Sequence, residues 1–241
     1  MTPFVAEFLG TMVLVLLGGG VCANVALNKT NGNNSGWIVI TMGWAMAVFA
    51  GVFISSHGSA SHLNPAVTIG FAVAGKIKGT TLILQYITAQ FLGAALGAIL
   101  VWLQYKDHYA ETPDGPTKLG TFATAPAIRN PINNLIGETI ATFILVFGCF
   151  HISTATVGPQ SASLGALNGL PVALLVLAIG LSLGGNTGYA INPARDLSPR
   201  IIHAILPIPR KGSSDWGYAW IPVVGPILGG TLAAFVNMML A

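Results

Sequence analysis

Two short stretches decide the fold of this chain: Asn192-Pro193-Ala194-Arg195-Asp196 and its earlier partner Asn64-Pro65-Ala66. Each follows a loop of small residues and opens a short apolar run. Asn is favoured just before a helix, and Pro at the first helical position loses no hydrogen bond, because that N–H would have no partner in the first turn. Each stretch therefore predicts the start of a helix. One such stretch is weak evidence, but two copies at matching places in a duplicated chain indicate a shared structural role.

The composition indicates an integral membrane protein. Of 241 residues, 53% are hydrophobic and only 7% are charged, whereas soluble domains carry about 25% charged residues. The net charge of +3 is too small to suggest nucleic-acid binding. Cys22 and Cys149 both lie in apolar runs, so we expect buried thiols rather than a disulfide or a metal pair.

Eight apolar runs organise the chain. Six are predicted to span the bilayer, at 4–26, 37–55, 81–102, 135–152, 170–183 and 218–239. Two more, at 65–74 and 193–205, start at the Asn-Pro stretches and are too short to cross about 30 Å of hydrocarbon. The sequence therefore predicts an all-α membrane protein with six transmembrane helices plus two re-entrant half-helices.

The two halves of the chain resemble each other. Glu7 and Glu138 begin similar apolar runs 131 residues apart, and the two Asn-Pro-Ala copies lie 128 residues apart. Each half makes three crossings, an odd number, so the second half must enter from the opposite side of the membrane. We therefore predict an inverted 3+3 repeat within a single domain spanning 1–241. Repeat 1 covers about 1–105, repeat 2 about 131–241, and a loop at 106–130 connects them.

The loops before the two asparagines are candidate pore segments. Non-helical backbone at membrane depth is tolerated only where it packs in protein or lines water, so we expect their carbonyls to form a ladder of acceptors. The residues of this ladder are Ala60, Ser61, His62, Leu63, Gly188, Tyr189, Ala190 and Ile191. Asn64 and Asn192 would offer N–H donors at its centre. The positive ends of both half-helix dipoles would repel cations and protons there.

Several charged residues lie at membrane depth, where a charge is costly. We expect Arg195 to face the lumen; the alternative is an ion pair with Asp196 or a bond to loop carbonyls. Asp196 is interpreted as a structural residue that ties down the loop. Glu7 and Glu138 are interpreted as acceptors for the N–H groups of the loops, the alternative being proton-relay carboxylates.

Nothing in the sequence indicates catalysis. The five histidines show no metal spacing, and no Ser/His/Asp set, phosphate loop or zinc pattern stands out. We therefore expect no enzyme activity, no metal and no cofactor.

The chain resembles the major intrinsic proteins, the aquaporin and aquaglyceroporin channels, over essentially its full length. The motifs that carry the resemblance are Ala6-Glu7-Phe8-Leu9-Gly10-Thr11, Ser61-His62-Leu63-Asn64-Pro65-Ala66-Val67-Thr68, Ala89-Gln90-Phe91-Leu92-Gly93-Ala94 and Asn192-Pro193-Ala194-Arg195-Asp196. The resemblance implies an aquaporin-like fold with one pore per protomer. The central constriction would then be formed by Asn64, Pro65, Ala66, Asn192, Pro193 and Ala194. It also implies a homotetramer in the cell membrane with cytoplasmic termini, although the Lys and Arg count of the loops alone favours the opposite orientation.

Local features resemble the aquaglyceroporin branch and its bacterial glycerol facilitators. Asp196 follows Arg195, where water channels usually carry Ser, and Gly180 stands where they carry a bulky His. By resemblance the selectivity filter is Trp44, Gly180, Tyr189 and Arg195. Gly180 would leave room for a solute wider than water, and the two aromatic rings would form an apolar wall opposite Arg195. Tyr189 departs from the usual Phe and adds a phenol.

The predicted function is a passive channel for glycerol and other small uncharged solutes, which also conducts water and excludes protons and ions. Dihydroxyacetone, urea, hydrogen peroxide and neutral lactic acid are further candidate solutes. The expected partners are these solutes, the lipid bilayer and the other copies of the homotetramer, without nucleic acid. One alternative is a water-selective aquaporin whose filter is narrowed by Tyr189. The other is an ion-coupled secondary transporter that uses Glu7 or Glu138.

Overall fold

The computed structural model describes residues 1–152, 156–157, 160–161 and 165–240. The helices are α1 (Pro3–Ala26), α2 (Trp37–Ser55), α3 (Pro65–Val73), α4 (Thr80–Gln104), α5 (Lys106–Glu111), α6 (Gly115–Gly120), α7 (Pro131–His151), α8 (Leu170–Leu183), α9 (Pro193–Ile205) and α10 (Ile221–Leu240). A 3-10 helix at Gly165–Gly169 leads into α8. The strands β1 (Thr156–Val157) and β2 (Gln160–Ser161) form one short antiparallel pair.

Six of the described helical segments are long and apolar enough to cross a membrane. They are α1, α2, α4, α7, α10 and the continuous stretch Gly165–Leu183 that contains α8. The helices α3 and α9 are shorter, with 9 and 13 residues, and both start at an Asn-Pro stretch. The prediction of six spans plus two half-helices is confirmed.

The helix contacts repeat in the two halves. α1 packs against α4 and α2, as α7 packs against α10 and α8. Each half-helix packs on the last long helix of the other half, α3 on α10 and α9 on α4. Glycines allow equivalent close approaches of α4 to α1 and of α10 to α7. A Cβ added at Gly93 would lie 2.3 Å from the carbonyl oxygen of Phe8, and a Cβ added at Gly229 would lie 2.3 Å from the carbonyl oxygen of Thr139. The two halves are therefore structural repeats of each other.

The outer faces of the long helices are apolar. Leu92 on α4 is 50% exposed, Ile140 on α7 is 50% exposed and Leu232 on α10 is 49% exposed. Large apolar side chains on the outside suit hydrocarbon rather than water. The chain is therefore a multi-pass membrane protein.

The structure differs from the sequence prediction between the halves. The predicted loop at 106–130 contains the two short helices α5 and α6. The fourth span begins at Pro131 rather than at 135, because the Asn130 side chain caps it by accepting a hydrogen bond from the N–H of Asn133. The sixth span begins later than predicted, at Ile221 rather than at 218.

Candidate functional site

Each half-helix is capped by its own asparagine. Asn64 Oδ1 accepts a hydrogen bond from the N–H of Ala66 at 2.9 Å. Asn192 Oδ1 accepts from the N–H groups of Ala194 and Arg195 at 3.0 and 3.2 Å. These bonds satisfy donors that a helix start leaves without an intrahelical partner. Both Asn-Pro-Ala stretches are buried in the protein interior: Asn64, Pro65, Ala66, Asn192, Pro193 and Ala194.

The two caps also bind each other's loops. Asn64 Nδ2 donates to the carbonyl oxygen of Ile191 at 2.8 Å, and Asn192 Nδ2 donates to the carbonyl oxygen of Leu63 at 2.8 Å. The helix starts therefore meet tip to tip. An Asn amide carries two N–H donors, so each side chain keeps one donor beyond this crossed pair.

Both loops contain residues with left-handed backbone. Ser61 and Leu63 have φ angles of 55° and 51°, and Tyr189 and Ile191 have φ angles of 38° and 44°. In each loop they stand three residues and one residue before the asparagine. Such angles are unfavourable for residues other than glycine and persist only where surrounding contacts fix them. The two loops therefore share the same strained backbone conformation.

Glu7 fixes the first loop. Its side chain is fully buried. Its Oε1 accepts from the N–H of His62 at 2.9 Å and from Ser59 Oγ at 2.7 Å, and its Oε2 accepts from the N–H of Leu63 and from Gln90 Nε2, both at 2.8 Å. The carboxylate thereby satisfies buried donors of a loop that has no ladder partner of its own.

Glu138 fixes the second loop in the same way. It is fully buried, and its two carboxylate oxygens accept from the N–H groups of Ala190 and Ile191, each at 2.9 Å. These residues stand two and one positions before Asn192, as the partners of Glu7 do before Asn64. Both carboxylates thus contact loop backbone and lie outside the cavity lining described next.

A cavity of about 250 Å³ runs along the two loops. Both asparagines, Trp44, Tyr189 and Arg195 line it. Most of the predicted ladder residues also line it: Ala60, Ser61, His62, Leu63, Tyr189, Ala190 and Ile191. Much of the remaining wall is aliphatic: Leu14, Val48, Val52, Val67, Leu145, Ile152, Val172 and Val176. The cavity thus joins one polar track to a largely apolar wall.

Arg195 and Trp44 face each other in this cavity. The Arg195 guanidinium carbon lies 4.1 Å from the centre of the Trp44 ring, within the range of a cation–π contact. Arg195 Nη1 donates to the carbonyl oxygen of Phe122 at 3.3 Å, and Trp44 Nε1 donates to Cys22 Sγ at 3.3 Å. In the described part of the chain Arg195 forms no ion pair with Asp196. The Arg195 guanidinium therefore lines the cavity and also donates a hydrogen bond to a loop carbonyl. These two arrangements are alternatives in the sequence prediction, and the structure contains both.

Two predicted residues lie outside the cavity lining, Gly180 and Gly188. The prediction that the space over Gly180 admits a wide solute is wrong, because the Tyr189 ring fills that space. An added Cβ at Gly180 would lie 2.9 Å from Tyr189 Cζ, and one at Gly184 would lie 2.4 Å from Tyr189 Cδ1. Trp37 packs edge-on against the same ring at 5.8 Å between centroids. Gly180 and Gly184 therefore leave the space in which the Tyr189 ring packs against α8.

The Tyr189 hydroxyl is buried and has no hydrogen-bond partner among the described residues. The Tyr189 side chain as a whole is 5% exposed. A buried hydroxyl without a partner costs about 1–3 kcal/mol. The phenol is thus a buried polar group that no described residue satisfies.

Asp196 ties the half-helix α9 to the connection between the halves. Its Oδ2 accepts from the N–H and the Oγ of Thr124, both at 2.7 Å, and its Oδ1 forms an ion pair with Arg200 at 2.8 Å. Sequence reasoning missed three residues at this site: Phe122, Thr124 and Arg200. One signal was available, because Asp and Arg four positions apart on a helix face the same side. The two connection residues carry no such local signal.

The two cysteines are free thiols, Cys22 buried and Cys149 half-buried on the cavity wall. The expectation that both are buried therefore holds for Cys22 alone. Among the described residues no group of His, Cys, Asp or Glu side chains is placed to hold a metal ion.

Comparisons with known proteins agree with this geometry. The family model described as "Major intrinsic protein" matches residues 1–237. A glycerol uptake facilitator protein of Streptococcus pneumoniae is 54% identical over 236 residues, covering 98% of each chain. A probable glycerol uptake facilitator protein of Thermotoga maritima is 52% identical over 234 residues, covering 97% of each chain. The X-ray structure of the aquaglyceroporin from Plasmodium falciparum aligns with a TM-score of 0.83 at 31% identity, over 97% of this chain and 93% of that one. The chain belongs to the major intrinsic protein family.

Proposed function

We propose that this chain is a passive membrane channel for glycerol and other small uncharged solutes, which also conducts water and excludes protons and ions. The observation that carries the proposal is a single cavity that contains both crossed asparagines and, on its wall, the Arg195–Trp44 pair. The relatives named glycerol uptake facilitators support glycerol as the solute. Transport by such a channel involves no enzyme chemistry.

The selectivity filter is formed by Trp44, Tyr189 and Arg195, with Gly180 supporting the Tyr189 ring. Glycerol has a carbon backbone on one side and hydroxyl groups on the other. The Trp44 ring packs against the Arg195 guanidinium, so it does not lie opposite Arg195 as the sequence predicts. The Tyr189 ring faces the carbon backbone, while the guanidinium of Arg195 donates hydrogen bonds to the hydroxyls. A solute therefore leaves water without losing all of its hydrogen bonds.

The central constriction also offers hydrogen bonds to a neutral solute. The free N–H donors of Asn64 and Asn192 bind a solute oxygen, and the loop carbonyls on either side accept from its hydroxyls. Two half-helix N-termini, each carrying a partial positive charge, point at this place. Together with Arg195 they make the lumen unfavourable for cations and protons, whereas a neutral solute meets no such barrier.

The domain organisation, the oligomeric state, the location and the orientation are proposed from the family. The protein would be one domain of two inverted repeats, assembled as a homotetramer in the cell membrane with cytoplasmic termini. Dihydroxyacetone, urea, hydrogen peroxide and neutral lactic acid are small and uncharged enough to follow the same route.

Two rival functions are less well supported. A water-selective channel requires Tyr189 to close the filter, but the ring lies in a slot over Gly180 and Gly184. An ion-coupled transporter requires a carboxylate that exchanges protons with the lumen, but Glu7 and Glu138 are occupied by loop N–H groups.

Light scattering of protein-containing liposomes in a stopped-flow instrument tests the proposal. In a glycerol gradient, rapid shrinkage should be followed by rapid reswelling as glycerol enters. An impermeant osmolyte in place of glycerol should give shrinkage alone. Rapid shrinkage in both solutions without faster reswelling than in empty liposomes would contradict glycerol conduction and favour the water-selective alternative.

A further inference from the structure

A short segment of the connection between the halves contacts Arg195 and the loop that leads to Tyr189. We call residues 122–127 the brace. The Phe122 carbonyl accepts from Arg195 Nη1 at 3.3 Å, and the N–H of Ala127 donates to the carbonyl of Asn186 at 2.9 Å. Between them, Thr124 packs on Gly188: an added Cβ there would lie 3.3 Å from the Thr124 side chain. The brace therefore contacts the Arg195 side chain and borders Gly188, the residue directly before Tyr189.

The brace is held in turn by one buried ion pair. Asp196 accepts from the N–H and the Oγ of Thr124 at 2.7 Å each, and Arg200 Nη2 donates to the Thr124 carbonyl at 2.8 Å. Asp196 and Arg200 are both fully buried. Thr124 therefore has its backbone N–H, its carbonyl and its hydroxyl all bound by this pair.

Arg200 uses its whole guanidinium in this arrangement. Nε and Nη2 donate to Asp196 Oδ1 at 3.0 and 2.8 Å, and Nη2 also donates to Thr124. Nη1 donates to the carbonyls of Ser214 and Asp215 at 2.8 and 3.3 Å. A guanidinium has five N–H donors, and these are five bonds. Lysine, with three donors on one nitrogen, cannot reproduce them.

We propose that Arg200 is a positioning residue for the filter: through Asp196 and Thr124 it fixes the brace, and the brace fixes Arg195. The inference rests on the proposed function, because it assigns a role within that filter. Arg195 is 8% exposed and has no carboxylate partner among the described residues. Its placement therefore depends on neutral contacts, of which the Phe122 carbonyl is one. Loss of Arg200 leaves the Asp196 carboxylate buried without its cation and frees the Thr124 carbonyl.

Three variants test the inference in liposomes that contain equal amounts of folded protein: Arg200→Met, Arg200→Lys and Thr124→Val. The two readouts are the ratio of glycerol to water permeability and the rate of proton leak, followed with an entrapped pH-sensitive dye. Releasing the Phe122–Arg195 bond changes the equilibrium constant between correctly placed and displaced Arg195 by about fivefold. We therefore expect the permeability ratio to fall by up to about that factor in Arg200→Met and the proton leak to rise. Arg200→Lys, which keeps the charge, should recover part of the ratio, and Thr124→Val should shift both readouts in the same direction.

Ser198→Ala is the matched control. It removes a buried hydrogen bond from the same half-helix, from Ser198 Oγ to the carbonyl of Phe91 at 2.7 Å, without contact to the brace. It should lower thermal stability without changing the permeability ratio. If Arg200→Met does not fold, Arg200→Lys and Thr124→Val carry the test.

Wild-type ratios and proton leak in both Arg200→Lys and Thr124→Val would overturn the inference, because a purely structural role changes stability and not selectivity. Wild-type protein that conducts no glycerol would instead refute the proposed function. The proton leak separates the two cases, since it reports on Arg195 placement whichever solute the channel carries.

Discussion

Replacing Gly180 by alanine places a methyl group against the ring of Tyr189. The new Cβ would lie 2.9 Å from Tyr189 Cζ and 3.1 Å from Cε2, with Thr41 Cγ2 at 3.0 Å on another side. Carbon atoms pack best at about 3.5–4.0 Å. The ring must therefore retreat from α8 by about 0.6 Å or more, and the open space before it is the cavity.

The consequence is a narrower filter. Overpacking of this kind costs about 1–3 kcal/mol in a rigid interior. If the ring and a permeating glycerol compete for the same space, a free energy of similar size is added to the barrier for glycerol permeation. Each 1.4 kcal/mol of barrier corresponds to about tenfold in rate. We expect Gly180→Ala to lower glycerol permeability by about tenfold, with a smaller loss of water permeability because water is narrower.

Stopped-flow light scattering on liposomes measures both permeabilities in one preparation. Gly20→Ala is the matched control, because Gly20 lies on another spanning helix and an added Cβ would meet nothing within 4 Å. Folded Gly180→Ala protein with an unchanged ratio of glycerol to water permeability would refute the reasoning. It would mean that the position of the Tyr189 ring does not set the width of the filter.

Three other substitutions test separate parts of the site. Tyr189→Phe removes a buried hydroxyl without a partner, so the free energy of unfolding should rise by about 1 kcal/mol and permeability should shift toward larger polyols. Equal melting temperatures and equal permeabilities to each polyol tested would contradict this. Arg195→Val should raise proton leak into liposomes, whereas Arg210→Asn, on an exposed loop whose left-handed backbone accepts Asn, should not; equal leak in the two variants would place Arg195 outside the lumen. Glu138→Gln supplies only one acceptor for two loop N–H groups and should lower the free energy of unfolding by about 2 kcal/mol or more, against little change in the exposed control Glu111→Gln. Dependence of glycerol uptake on a proton gradient, lost in folded Glu138→Gln, would instead support the coupled transporter.

Local sequence signals predicted the parts of this fold that local chemistry determines. The half-helices were predictable because an asparagine cap and a proline at the first position mark a helix start wherever they occur. The same pair, Asn130-Pro131, begins α7, four residues before the apolar run that predicts a start at Leu135. The short helices α5 and α6 were missed because six-residue helices in a polar stretch have no periodic pattern to detect.

The parts that could not be predicted depend on long-range contacts. The Tyr189 ring lies over Gly180 and Gly184, so the role of Gly180 appears only when the loop is folded back on α8. The five bonds of Arg200 reach carbonyls as far as 76 residues away along the chain. A single sequence places an arginine on a half-helix but does not say which distant carbonyls surround it.

The initial rate of labelled glycerol entry into liposomes, measured over a wide concentration range with and without an imposed proton gradient, tests the central claim most directly. A passive channel predicts a rate that rises linearly with concentration, equal rates with either sign of the gradient, and a final internal concentration equal to that outside. Accumulation above the external concentration when the gradient is imposed would contradict the account.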